Sequence, residues 1–197
     1  MPVSTPAFDL PAGRSALLLM DFQTAVVEML GEDDGVLKRT ASLAAAARKA
    51  GIPVIHVCIG FREGFIDVHP RNKSFGAIKE SGRFAPGSPG TEIHKALAPQ
   101  PGDLQVTKRR VSAFAGSDLE FLLRAQGIDT LLLTGLATSG VVLSTLRQAA
   151  DLDYRLGVVA DCCGDRDAEV HRVLIEKVFP RQAEVMDCAG ALSLLKA

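Results

Sequence analysis

Several things are scarce in this 197-residue sequence, and each scarcity removes a class of function. Neither sign of charge dominates: 22 Lys and Arg face 23 Asp and Glu, for a formal net charge of -1. No basic run is long enough to track a phosphate backbone, so nucleic-acid binding is not expected. No apolar stretch reaches the roughly 18 residues that a membrane span needs. The opening MPVSTPAFDLPAGR lacks the cationic start and apolar middle of a signal peptide. A soluble cytoplasmic protein is the expectation. The four cysteines, Cys58, Cys162, Cys163 and Cys188, show no CxxC spacing. Adjacent cysteines such as Cys162 and Cys163 rarely bond each other without strain, so all four read as reduced thiols. There is no internal repeat and no low-complexity tract.

What is present suits one domain over residues 1–197, since a 47% apolar composition fills a sizeable core. Short β-branched runs alternate with stretches of helical period, the pattern of parallel βαβ units. The strands predicted are 16–22, 53–59, 104–108, 130–135, 155–161 and 183–187, with helices over 35–51, 116–127, 139–151, 167–179 and 190–197. TLLLTG, at 130–135, is apolar almost throughout, which implies burial on both faces and a three-layer α/β/α sandwich. Residues 60–102 hold seven Gly and five Pro in 43 positions. That density excludes a regular element and points to a long loop covering a site or a subunit contact.

In an open parallel sheet, ligands bind beyond the carboxyl ends of the strands. Asp21 ends the first strand, Lys108 ends the third, and the fourth runs through Gly135 and Thr138 into a helix. Each has a plain structural explanation: a carboxylate after a strand often caps a helix, and the lysine heads a KRR run suited to a solvated edge. Together they are an acid, an amine and a helix N-terminus at one rim, where close charges shift one another's pKa and suit proton transfer. GLATSG has the glycine spacing of a phosphate loop, but Val141 and Val142 stand where Lys and Ser or Thr are required. A nucleotide site is excluded.

With these residues in place, the chain resembles the isochorismatase-like hydrolases, a family that includes nicotinamidases and carbamoylsarcosine amidases. LLLMDFQ is similar to the family's first strand with its Asp, and the stretch from TKRRVSAF through GLATSGVV carries its Lys, S-A-F and G-x-x-T segments in order. The resemblance implies a six-stranded parallel sheet of order 3-2-1-4-5-6. It also implies a non-proline cis peptide from Ala137 to Thr138, and backbone donors at Ala137, Thr138, Gly140 and Val141 aimed at a substrate oxygen. The family's usual machinery is Asp, Lys and a nucleophilic Cys. Asp21 and Lys108 fall on their positions, whereas the Cys position holds Val141.

A valine neither attacks nor shuttles a proton, so a thioester mechanism at this position is excluded. The nearest alternatives do not replace it. Ser139 points away on the helix, and Cys162 and Cys163 follow a strand farther along the sheet. Family members that cleave a vinyl ether also lack the Cys, and the Asp then acts as an acid. The expectation is a hydrolase of a small metabolite without a covalent Cys intermediate, with Asp21 as general acid or base beside Lys108. Val141 fills space that a glycine leaves open, which disfavours isochorismate and suits a smaller or flatter substrate. The alternative is a pseudoenzyme that binds a small molecule or serves as an oligomeric partner.

DVHPRNKSF resembles the metal segment of nicotinamidases, supplying Asp67 and His69, but Lys73 stands where a second His is needed. Two ligands are too few for a divalent ion, so neither metal nor cofactor is expected. His56, His94 and His171 have no ligand spacing and read as packing or surface residues. Gln23, Phe61 and Arg62 are expected to line the substrate pocket, with Arg62 able to hold a carboxylate. The resemblance further implies a homo-oligomer, dimer or tetramer.

Overall fold

The computed structural model describes residues 8–31 and 35–196. Its strands are β1 (Ser15–Met20), β2 (Val54–Ile59), β3 (Leu104–Lys108), β4 (Thr130–Leu136), β5 (Arg155–Gly164) and β6 (Glu184–Met186). They form one six-stranded sheet of order β3-β2-β1-β4-β5-β6, parallel at every pairing. Every residue of β1 and β4 is buried. These central strands are covered on both faces, which is why their sequences are apolar without alternation.

The helices are α1 (Thr24–Leu30), α2 (Val36–Lys49), α3 (Lys73–Ser81), α4 (Leu119–Ala125), α5 (Leu143–Asp151), α6 (Ala168–Val173) and α7 (Cys188–Leu194). Side chains leave successive strand residues on opposite faces. Ala16, Leu18 and Met20 therefore join Val106, Leu133 and Leu146 in one apolar layer, while Leu17 and Leu19 join Leu43, Leu132 and Cys188 in the other. Cys162 and Cys163 are buried in these two layers as packing residues.

A smaller cluster holds the segment that follows β2. Phe61, Phe65, Val68, Phe75 and Phe84 pack with Ile59 and with Ala25 of α1. Here the expectation of an irregular 60–102 segment is corrected. Its Gly and Pro are unevenly spread, and the stretch Lys73–Ser81 has a single Gly and no Pro. It closes as a helix whose first turn is capped by Asn72, which accepts from Phe75 N–H at 3.1 Å.

Candidate active site

Three strand ends meet at the carboxyl rim of the sheet. Asp21 follows β1 in a left-handed conformation, φ 59°, which Asp tolerates better than most residues. Its N–H donates to Val57 O at 2.8 Å, so its backbone is tied to β2. Lys108 closes β3 on the same face as Val106, and its Nζ lies 2.9 Å from Asp21 Oδ2. The same Nζ donates to Arg110 O at 3.0 Å. Both side chains are nearly shut off from solvent, Lys108 at 2% and Asp21 at 10% exposure.

The two oxygens of Asp21 are unlike. Oδ2 meets Lys108, whereas Oδ1 is buried and has no hydrogen-bond partner among the described residues. The Ile59 N–H donates to Gln23 Oε1 at 2.8 Å. An unsatisfied buried carboxylate oxygen costs on the order of 1–3 kcal/mol. Burial pushes the Asp21 carboxyl above its ordinary value; the charge and hydrogen bond of Lys108 and the nearby Ile59 amide pull it back less strongly.

The third component is the turn after β4. Gly135 pairs with Met20, and a Cβ there would sit 2.8 Å from Met20 O and 3.3 Å from Val142 Cγ2. Only glycine lets this turn close against β1. A non-proline cis peptide joins Leu136 to Ala137. The expected site of that bond, Ala137 to Thr138, was thus one residue late: Ala137 already has the extended conformation of a helix cap, with Thr138–Val142 forming a single π-helical turn ahead of α5. The expected donors also need revision. Gly140 N–H donates to Ala137 O at 3.1 Å, as does Val142 N–H at 3.3 Å, so Gly140 spends its amide within the turn. Val141 is buried in the apolar layer with Met20 and Val142.

Asp165, which the sequence left unassigned, and His171, which read as a packing or surface residue, hold this turn. Asp165 Oδ2 accepts from Ser139 N–H at 2.7 Å. Thr138 Oγ1 lies 2.8 Å from His171 Nδ1. Burial lowers the His171 pKa more than Asp165 raises it, so the ring is neutral near pH 7 and can accept the Thr138 proton. Thr138 is fully buried, which makes this bond a strut and denies its hydroxyl to any substrate.

The expected pocket residues disperse. Gln23 donates to Ile59 O and Thr91 O at 3.0 and 2.9 Å and accepts from Ile59, leaving neither amide hydrogen for a ligand. Phe61 belongs to the satellite core, 5.2 Å from Phe65 and 5.6 Å from Phe75 between ring centroids. Arg62 is exposed, with its guanidinium 3.5 Å from Asp67. A cavity of about 520 Å³, bordered by Gln23, Cys58, Phe61 and Thr107, includes neither Asp21 nor Lys108 in its lining. Thr107 alternates with Lys108 along β3, so this cavity lies on the opposite face from the acid–amine pair.

Asp67 faces Arg62 and Arg109, and His69 Nδ1 accepts from Arg71 N–H at 3.1 Å. Among the described residues no three His, Cys, Asp or Glu converge as metal ligands. No helix among them is long and apolar enough to cross a membrane. Burial raises the pKa of every cysteine: Cys58 and Cys163 to about 12, Cys162 and Cys188 in the same direction. None is a thiolate at neutral pH.

A doubly wound α/β/α sheet of this order, with a buried acid–amine pair at its carboxyl rim, defines the class. Comparison with known proteins gives the family: the isochorismatase domain matches residues 15–190, and the chain belongs to the isochorismatase family. It is 32% identical to YecD, an uncharacterized isochorismatase family protein of Escherichia coli O157:H7, over 95% of this chain and 99% of that protein. It is 30% identical to the maleamate amidohydrolase of Pseudomonas putida KT2440, over 81% of this chain and 74% of that enzyme. Among solved structures, a cysteine hydrolase from Pseudomonas syringae pv. phaseolicola 1448A superposes with a TM-score of 0.90 at 23% identity, covering 98% of this chain and 99% of the other, a likeness of fold.

Proposed function

We propose that the chain, one domain over residues 1–197, is a hydrolase of a small metabolite that works through Asp21 and Lys108 without a covalent thiolate. The carrying observation is the asymmetry of Asp21: Lys108 fixes Oδ2, and Oδ1 is buried without a hydrogen-bond partner among the described residues. A carboxyl held this way, with its proton affinity raised by burial, is suited to exchange a proton with a reacting molecule.

For an amide, Oδ1 takes a proton from water as the water oxygen bonds to the carbonyl carbon. The charge that develops on the carbonyl oxygen is received by N–H groups of the turn, for which Ala137, Thr138 and Val141 are the candidates once Gly140 is set aside. Asp21 then returns the proton to the leaving nitrogen as the C–N bond breaks. In its protonated form the same carboxyl can add a proton to the carbon of an enol ether; water then bonds to the adjacent cationic carbon and gives its proton back to Asp21, and the hemiketal so formed breaks its C–O bond to leave a ketone and an alcohol. Lys108 balances the charge on Asp21 in either direction. The raised thiol pKa values support the absence of a cysteine nucleophile, as does Val141 at the position where the family resemblance puts one. A maleamate amidohydrolase among the relatives supports small amides as the first substrates to try.

The test is turnover of an amide, ester and vinyl-ether panel that begins with maleamate. Asp21→Asn is expected to lower the rate by about 10²- to 10⁴-fold, and iodoacetamide applied with the site empty is expected to leave it unchanged. Loss of activity on alkylation would overturn the mechanism.

A second reading follows from the buried Val141: the seat of a nucleophile is filled by core packing, as in a pseudoenzyme retaining the pocket to bind a small molecule. Binding that survives Asp21→Ala, with no turnover across the panel, selects it. The protein acts in the cytoplasm as a homo-oligomer in either reading, and sedimentation giving a monomer at micromolar concentration removes the assembly.

A further inference from the structure

The turn after β4 is pinned twice by one stretch of chain. The pairing of β5 on β4 shifts between Leu133 and Gly135, then resumes with Gly135 opposite Cys163 and Leu136 opposite Gly164. Glycine at 164 permits this approach, since a Cβ there would come within 3.1 Å of Leu136 Cδ2. The residues that follow are thereby delivered to the turn. Asp165 Oδ2 takes the Ser139 N–H at 2.7 Å, and His171 of α6 brings Nδ1 to 2.8 Å from Thr138 Oγ1. On its other side the turn closes against Met20 through Gly135, so both pins hold a turn that abuts the residue before Asp21.

The two pins share a proton-sensitive group. Thr138 is fully buried, and among the described residues its hydroxyl bonds to the His171 ring alone. A neutral ring with its proton on Nε2 accepts that hydroxyl, whereas an imidazolium carries a proton on both nitrogens and accepts nothing. Once His171 is charged, the Thr138 hydrogen loses its acceptor, and the new cation is attracted to Asp165, the charge that acts on the ring. Asp165 must then divide itself between His171 and the Ser139 N–H. The other charges of this segment are spent or distant in effect. Asp167 caps α6 through the N–H groups of Glu169 and Val170 at 2.9 and 3.2 Å, and Arg172 pairs with Glu169 and Glu176 at 2.8 and 2.6 Å. Arg166 and Lys177 are not among the groups that shift the ring. Residues 138–146, the turn and the start of α5, carry no ionisable side chain. Burial disfavours the charged ring more than Asp165 favours it, so the contribution of the neutral ring is complete above 6.5 and is lost as the pH falls through the lower folded value.

We propose that His171 is a positioning residue that works as a proton-operated latch: neutral, it locks the turn through Thr138 and leaves Asp165 to Ser139; on gaining a proton, it loosens both pins together. The N–H groups so held are those of Ala137, Thr138 and Val141, which are donors to substrate only on the active-site reading above. On that reading the acid limb of the reaction belongs to a residue that never touches the substrate, because an amide loses its donors when the latch opens even while Asp21 stays in place.

NMR titration of the full chain from about pH 8 to about pH 5 tests the latch without a substrate. The His171 ring is expected to titrate below 6.5, with the amide signals of Thr138, Ser139, Gly140 and Val141 moving at the same midpoint. Protection of the Ser139 N–H from exchange should fall about tenfold across that midpoint, the equivalent of roughly one hydrogen bond. His171→Asn keeps an acceptor that does not titrate, so its turn amides should hold their high-pH positions throughout. Thr138→Val should keep the ring titration and lose the shared midpoint, and Thr138→Ser should restore it. Turn amides that stay flat, that follow a midpoint other than the ring's, or that respond unchanged in Thr138→Val overturn the latch, as does a ring that is charged at pH 7. Turnover of the substrate panel with a flat turn titration removes the latch and leaves the hydrolase standing, whereas a shared midpoint without turnover does the reverse.

Discussion

Asp21 and Asp103 are two buried carboxylates at opposite ends of one sheet, each beside a cation, and their protons respond in opposite directions. Asp103 precedes β3. It accepts from Arg48 Nε and Nη2 at 2.9 and 2.7 Å and from Gln100 N–H at 2.8 Å, and His56 Nε2 lies 3.1 Å away. Burial alone would raise its pKa, but these donors outweigh burial and hold it at about 2. Asp21 is desolvated as well, has one cation on one oxygen, and is raised. A carboxylate with every oxygen satisfied welds α2 to β2 and β3. One with an oxygen left over has the form that the proposed proton transfer requires. Burial does not separate these roles; completeness of hydrogen bonding does.

Exchanging the two residues in turn is the severest trial of that contrast. Asp21→Asn should lower turnover by the factor given above and keep a cooperative melt, while Asp103→Asn should keep turnover and lose stability. The Asp103 loss is expected at about 1–2 kcal/mol in urea unfolding at pH 7, discounted because Arg48 reaches water. Equal activity losses in both variants would dissolve the distinction.

Acid titration sharpens the comparison next. The folded-state pKa of Asp103 lies below the unfolded value of 3.8, so its contribution is present above that value and is lost as the pH falls toward about 2. Asp21 has the opposite sign. Its folded pKa is raised, so its contribution is complete below the unfolded value and declines as the pH rises through the folded one. Stability curves of the wild type and Asp103→Asn should therefore converge between about pH 4 and pH 2. The smallest effect is expected at the turn. His171→Leu removes one hydrogen bond to Thr138, worth about 1 kcal/mol, and should raise amide exchange at Ser139 and Gly140 more than in β2.

The strands were legible in the sequence because β-branched runs are local signals, and the central strands read as buried from composition alone; their order in the sheet came only with the family resemblance. Asp21 and Lys108 were legible because strand ends in a parallel sheet converge at a known rim. Four features were hidden, for three distinct reasons. The helix Lys73–Ser81 disappeared when Gly and Pro were averaged over a 43-residue window. The register of the cis bond leaves no mark on side-chain pattern. His171 meets Thr138 across 33 residues of chain, through the crossover that includes β5, and no spacing rule covers such a pair. Asp103 likewise gains its partners from α2 and β2, which are remote in sequence.

The proposed reacting pair also joins a central strand to a marginal one. β3 is hydrogen-bonded to β2 on one side and has no strand on the other among the described residues, while β1 is held between β2 and β4. Peripheral strands detach in sub-global openings that cost less than complete unfolding. Lys108 is therefore set to leave Asp21 before the core melts. Under mild denaturant, activity should fade while far-UV dichroism stays native, so resistance of the catalyst to inactivation is governed by the grip of one outer strand and not by the melting temperature of the fold.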